Sequence, residues 1–205
     1  MKRFFVLLLF VLPFVISAQA VDATSANTVG NLKYIMDVPL CGKKTITPDP
    51  TGKFKYNDGC GDHLYWQVVG LKLRAVPHLI ALIENEEPTQ AKLPKGKGYY
   101  KTGDVAVMAL REIVHDLPVE EFVGYKMADF DNSAKFFQKA LKDAKKRTAL
   151  KDAIQKWFDD STGKLIYEKG NTYGNCECVG KHPVGGYTVL KKTELKKDDT
   201  PVKTE

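Results

Sequence analysis

None of the short signatures of nucleophilic, metal-hydrolytic or phosphate-cradling catalysis occurs in the chain. There is no G-x-S-x-G, no H-E-x-x-H and no Gly-rich loop ending in Gly-Lys-Ser/Thr. Histidine is scarce, and His63, His78 and His115 stand far apart with no Ser or Cys nucleophile motif beside them. His78 falls in an apolar stretch and reads as a packed or rim histidine. An excess of one charge is also missing: 31 basic against 25 acidic residues leave a net charge of +6. Nucleic-acid binding calls for a concentrated basic stripe, so no nucleic-acid partner is expected. Past residue 16 no apolar run approaches the ~20 residues that a membrane span needs. These absences argue against an enzyme, and no cofactor or metal is assigned.

What the chain does have begins with a three-part leader. Lys2 and Arg3 are basic, Phe4 to Ile16 is apolar apart from Pro13, and Ser17-Ala18-Gln19-Ala20 carries an A-x-A cleavage pattern. Residues 1–20 are therefore expected to be a cleaved signal peptide, which makes the protein periplasmic or extracellular. Removing Lys2 and Arg3 lowers the charge from +6 to +4. Residues 21–195 are expected to form one domain, with 21–27 loose and 196–205 a disordered charged tail.

Cysteine is limited to Cys41, Cys60, Cys176 and Cys178. An even count in an exported chain reads as two disulfides. Cys176 and Cys178, if extended, lie about 6.6–6.8 Å apart on one face, the upper limit for a mutual bridge. The preferred pairing therefore joins them to Cys41 and Cys60, where closing loops of over a hundred residues contributes about 4–5 kcal/mol per bridge. The alternative pairs Cys41 with Cys60 and Cys176 with Cys178. A metal or redox site built on Cys176, Cys178 and His182 is the rival reading of the same residues.

Hydrophobic spacing makes the middle of the chain helical. Asn31 to Met36 starts a short helix. Asp62 caps a helix over His63 to Val69, with Leu64, Val68 and Leu71 on one face. A second helix opens near Ala75 with Pro77 in its first turn and ends at Glu84–Pro88. A third, capped by Asp104, runs from Val105 to Val114. The last two are apolar nearly all round, which predicts a buried antiparallel pair. Pro118 to Val123 forms a short helix. A long one runs from Asn132 or Ser133 to Phe158. It turns Phe137, Leu141, Ala144, Thr148, Ile154 and Trp157 inward, and Lys142, Lys145, Lys146, Lys151 and Lys156 outward. Asp129 and Asp131 read as capping residues. Lys164–Glu168 and Tyr187–Leu190 predict a C-terminal β-hairpin. The expected class is mainly α, with a helical-hairpin core and a small β-ribbon, stapled by disulfides.

Two stretches add a resemblance. Leu73-Arg74-Ala75-Val76-Pro77-His78-Leu79-Ile80-Ala81-Leu82-Ile83 resembles the first helix of a HEAT-type repeat, and Gly103-Asp104-Val105-Ala106-Val107-Met108-Ala109-Leu110-Arg111-Glu112-Ile113 resembles the second. The resemblance spans one repeat, and a solenoid needs three or more. The stretch from Asp62 to Lys169 is similar to small secreted bacterial proteins with such a helix pair. That implies a fold but no catalytic residue.

Between those helices, Glu86 to Thr102 reads as a long loop, and loops of that length are often functional. It carries Lys92, Lys95, Lys97 and Lys101 around Tyr99 and Tyr100, with Gly96 and Gly98 for flexibility. Lys95, Lys97, Tyr99, Tyr100 and Lys101 are the candidate partner-binding residues, since tyrosines among charges make good contacts. The expected function is a non-catalytic, protein-binding module of the periplasm or cell surface. Its size and compartment fit an inhibitor or immunity-type protein. The rivals are the metal or redox reading above and an envelope structural protein.

Overall fold

A computed structural model of the protein describes residues 23–39, 61–94, 98–130, 133–168 and 185–190. Helix α1 covers 23–30, where a loose segment was expected. Val29 and Ser25 on one of its faces are buried, and that burial orders the segment despite its polar composition. A 3-10 turn at Asn31–Tyr34 follows.

Helix α2 spans His63–Gly70 and starts as its sequence implies, with the Asp62 carboxylate accepting from the Leu64 N–H at 2.9 Å. The face it buries is Tyr65, Trp66, Val68 and Val69, which includes the expected Val68, while Leu64 and Leu71 are half-buried against the core. Tyr65 and Trp66 meet edge to face with ring centroids 5.3 Å apart. The Tyr65 hydroxyl is buried and makes no hydrogen bond among the described residues. Burial first, and then the nearby Glu112 carboxylate, raise its pKa. A buried hydroxyl without a partner costs desolvation and gains nothing. Tyr65→Phe is therefore expected to leave thermal stability unchanged or to raise it, by up to about 2 kcal/mol, as calorimetry can read.

Helix α3, Val76–Leu82, carries Pro77 in its first turn, where no helical N–H is lost. Helix α4, Thr102–Ile113, buries nine of its residues, including Val105 to Val107 and Leu110. The end of α3 meets the start of α4, and the two helices pack more extensively than any other pair. Helix α5 is Val119–Val123.

The long helix expected from residue 132 or 133 to 158 is two helices. α6 runs Ser133–Ala140 and α7 runs Ala144–Ser161. Asp143 restarts the second, its side chain accepting from the Lys146 N–H at 3.0 Å. The break resets the helical phase. Ala144 and Thr148 are exposed, while Arg147, Leu150 and Ile154 turn inward. Lys142, Lys145 and Lys156 are exposed as expected. Asp129 lies in a 3-10 turn, Met127–Asp129.

Two antiparallel two-stranded sheets complete the fold. Strands β1, Pro88–Lys92, and β2, Tyr99–Lys101, lie between α3 and α4. Strands β3, Leu165–Glu168, and β4, Gly186–Val189, form the C-terminal hairpin that the sequence implied. Cys41, Cys60, Cys176, Cys178 and His182 lie outside the described residues, as do residues 1–22 and 191–205. Among the described residues no helix is long and apolar enough to cross a membrane.

The second sheet docks on the end of α4. The His115 N–H donates to the Tyr187 carbonyl at 2.9 Å, and the Val189 N–H donates to Asp116 at 3.1 Å. Gly186 lies so close to the imidazole that a Cβ there would sit 2.1 Å from Nε2 of His115. Burial pushes the His115 pKa below its usual 6.5, outweighing the Glu168 and Asp116 carboxylates that pull the other way. The folded state thus binds that proton more weakly than the unfolded chain does. Stability from this group is complete above the ordinary histidine value and is lost as pH falls through it. Protection of the β4 amides, corrected for the intrinsic exchange rate at each pH, should therefore fall between about pH 7.5 and 5.5, and His115→Gln should flatten that dependence.

Candidate partner-binding surface

The segment read as a loop is a β-hairpin, and strand alternation sorts its residues. On β1, Thr89 and Ala91 are buried while Pro88, Gln90 and Lys92 are exposed. On β2, Tyr99 is 48% exposed and Tyr100 is 0% exposed. Pro88 pairs with Lys101 and Lys92 with Tyr99, with an irregular register between the two ends. The buried Thr89 hydroxyl donates to the Tyr100 carbonyl at 2.9 Å, and its oxygen accepts from the Ala91 N–H at 3.2 Å.

Tyr100 therefore belongs to the core, which corrects its assignment as a contact residue. Two adjacent strand residues cannot both face solvent when one face is packed, and here Tyr100 took the inner place. Lys101 is half-buried and holds the Glu86 carboxylate at 2.5 Å. Lys95 and Lys97 fall outside the described residues. Of the three expected contact residues that are described, Tyr99 is the one displayed openly.

The exposed surface gains residues that sequence reading missed. The Gln90 N–H donates to the Ile35 carbonyl at 3.1 Å, so residues 34–36 run along the edge of β1 opposite β2. Ile35 is buried, and its neighbours Tyr34 and Met36 are 51% and 68% exposed. The Lys33 ammonium lies 5.0 Å from the centre of the Tyr34 ring. Tyr34, Met36, Gln90, Lys92 and Tyr99 thus form the exposed residues of three adjoining segments. Only a long-range pairing brings 34–36 there, which no local pattern signals.

A buried ionic knot fixes the root of the hairpin. Arg147 of α7 is 1% exposed. Its guanidinium donates to Asp104 at 2.7 Å and to the Ile83 carbonyl at 3.0 Å, and lies 4.0 Å from Glu86. Asp104 sits in the first turn of α4 and does not cap it by preceding it. Its other oxygen accepts from the Lys101 N–H at 3.2 Å, reaching back over the helix start. Burial raises the Asp104 pKa, against the lowering effect of Arg147. The Thr102 N–H and hydroxyl both donate to the Glu87 carbonyl, at 2.9 and 3.0 Å. On the outside, Lys151 and Thr148 of α7 hold Glu84 and depress its pKa, Lys151 most. The hairpin therefore rises from a base tied to α3, α4 and α7.

Comparison with protein-family models, curated proteins and solved structures finds no match to this chain. Among the described residues no three His, Cys, Asp or Glu side chains are grouped to hold a metal. His63 pairs with Gln67 on the outside of α2 at 2.9 Å, and His78 is half-buried on α3.

Proposed function

We propose that the chain is an exported, non-catalytic protein-binding module, of the inhibitor or immunity type, whose contact surface is the outer face of the β1–β2 hairpin with Tyr34 and Met36. The observation that carries this is the exposure of Tyr34, Met36 and Tyr99 on a base held by the Arg147–Asp104 pair. Exposed tyrosines on a rigid support lose little conformational entropy when a partner covers them, and Met36 adds an adaptable apolar contact beside them. Lys33 and Lys92 border them, so the fitting partner is a protein with an apolar cleft edged by carboxylates. Export rests on the leader pattern of residues 1–20.

A photo-crosslinking residue at position 99 or 36 tests this in cells that make the protein. Both positions should trap the same discrete partner, and one at Lys156 on α7 should not. Replacing Tyr34, Met36 and Tyr99 together by Ser should weaken that complex by about 30-fold or more, the loss of at least one aromatic anchor, while leaving the melting profile within about 0.5 kcal/mol per site. Equal trapping at position 156, or unchanged affinity in the triple variant, sinks the assignment.

A further inference from the structure

Strand β4 uses both of its edges and, among the described residues, β3 uses one. On β4, Tyr187 and Val189 turn their backbone groups to the end of α4, bonding His115 and Asp116. The other edge pairs Thr188 with Ile166 and Gly186 with Glu168. The Leu190 N–H continues that ladder to the Lys164 carbonyl at 2.9 Å. The backbone groups of residues 164, 166 and 168 thus face β4. Alternation turns those of Leu165 and Tyr167 to the opposite edge, where no partner among the described residues meets them. This edge carries none of the usual protections, such as a proline, a bulge or a central charge. Instead Ile166 and Tyr167 are 38% and 39% exposed. The strand is held in place from below, with the Lys72 ammonium 4.0 Å from the centre of the Tyr167 ring and the Tyr167 hydroxyl accepting from the Gly185 N–H at 3.2 Å.

We infer that this edge pairs with the same edge of a second copy of the chain, antiparallel, about a two-fold axis at Ile166. Parity and charge both select that register. With Ile166 opposite itself, Leu165 of each copy faces Tyr167 of the other, and these are the residues whose N–H and C=O groups point outward. Four hydrogen bonds close the pair. The same register sets Lys164 of each copy opposite Glu168 of the other, two favourable cross-strand charge pairs. A one-residue slip breaks that alternation, and parallel pairing or a two-residue slip loses the charge pairs. Five residues per copy make a small interface, so the dimer is weak and concentration-dependent, with dissociation on the order of micromolar or higher.

Sedimentation equilibrium on the purified protein reads this directly. The wild type should show a monomer–dimer equilibrium. Lys164→Glu alone and Glu168→Lys alone each make both cross-strand pairs repulsive and should weaken association by about tenfold or more. The two together should restore it to within about threefold. Leu165→Pro removes an N–H that has no partner among the described residues, so it should stay folded by circular dichroism and sediment as a monomer. A wild type that is monomeric up to about 1 mM overturns the inference, even if the Leu165 and Tyr167 amides resist exchange at every dilution, for then another segment of the same chain covers the edge. Dimers insensitive to both single charge reversals, or a double variant that fails to recover, overturn it as well.

Discussion

Arg147→Ala is expected to lower stability by about 3–5 kcal/mol, because it leaves the Asp104 carboxylate buried with its cation gone. A domain of this size has about 5–15 kcal/mol in total, so the variant should be close to unfolding at 37 °C. The loss has two parts. Asp104, 5% exposed, keeps only the Lys101 N–H as a donor among the described residues, and the Ile83 carbonyl loses the donor at 3.0 Å. The deficit should depend on pH with a defined sign. Burial already raises the Asp104 pKa in the folded state, and losing Arg147 raises it further. The folded variant then holds a proton that the unfolded chain releases, so its stability falls as pH rises above the ordinary carboxylate value. Urea denaturation should show a larger gap from wild type at pH 8 than at about pH 5. Asp104→Asn combined with Arg147→Met should cost less than Arg147→Ala alone, since no charge is then stranded.

Gly103→Ala is expected to be the most damaging of the small substitutions. A Cβ at this position would lie 2.3 Å from the Ile83 carbonyl oxygen and 2.7 Å from Nη1 of Arg147. The first of these is backbone and cannot step aside without moving the end of α3. Alanine inside a helix normally gains up to about 1 kcal/mol over glycine, but here overpacking outweighs that gain, for a net loss of about 1–3 kcal/mol. Gly70 provides the contrast. It closes α2 with nothing within 4 Å of its would-be Cβ, so Gly70→Ala should stabilise by up to about 1 kcal/mol. Thermal melts of the two variants side by side separate the effect of close packing from that of backbone entropy.

Local chemistry made the helices legible. The Asp62 cap, Pro77 at the start of α3 and the all-round apolar run of α4 each announce an element without reference to the rest of the chain. Where the reading failed, a distant residue decided. Apolar periodicity ran straight through Leu141–Asp143, yet Asp143 capped a new helix there because the phase of α7 is set by Arg147 reaching Asp104 and Ile83. A buried arginine looks from sequence like one more member of a basic solvated face. The hairpin between α3 and α4 was hidden for a similar reason. Its glycines and lysines read as loop, and its inner face consists of Thr89, Ala91 and Tyr100, of which only the tyrosine is strongly apolar. The contact surface was half legible. Tyr99 stood out by composition, whereas Tyr34 and Met36 join it only through the bond from Gln90 to Ile35.

An ionic knot holds strands β1 and β2 as a hairpin with one tyrosine out and the next one in. Brief nitration of the native protein with tetranitromethane, mapped by mass spectrometry, puts that claim to the test. Tyr99 and Tyr34 should react readily while Tyr100 and Tyr65 stay protected, and Arg147→Ala should open Tyr100 to the reagent. Nitration of Tyr100 as fast as Tyr99 in the native protein would mean a solvated loop in place of the hairpin, and the proposed surface would have no rigid base.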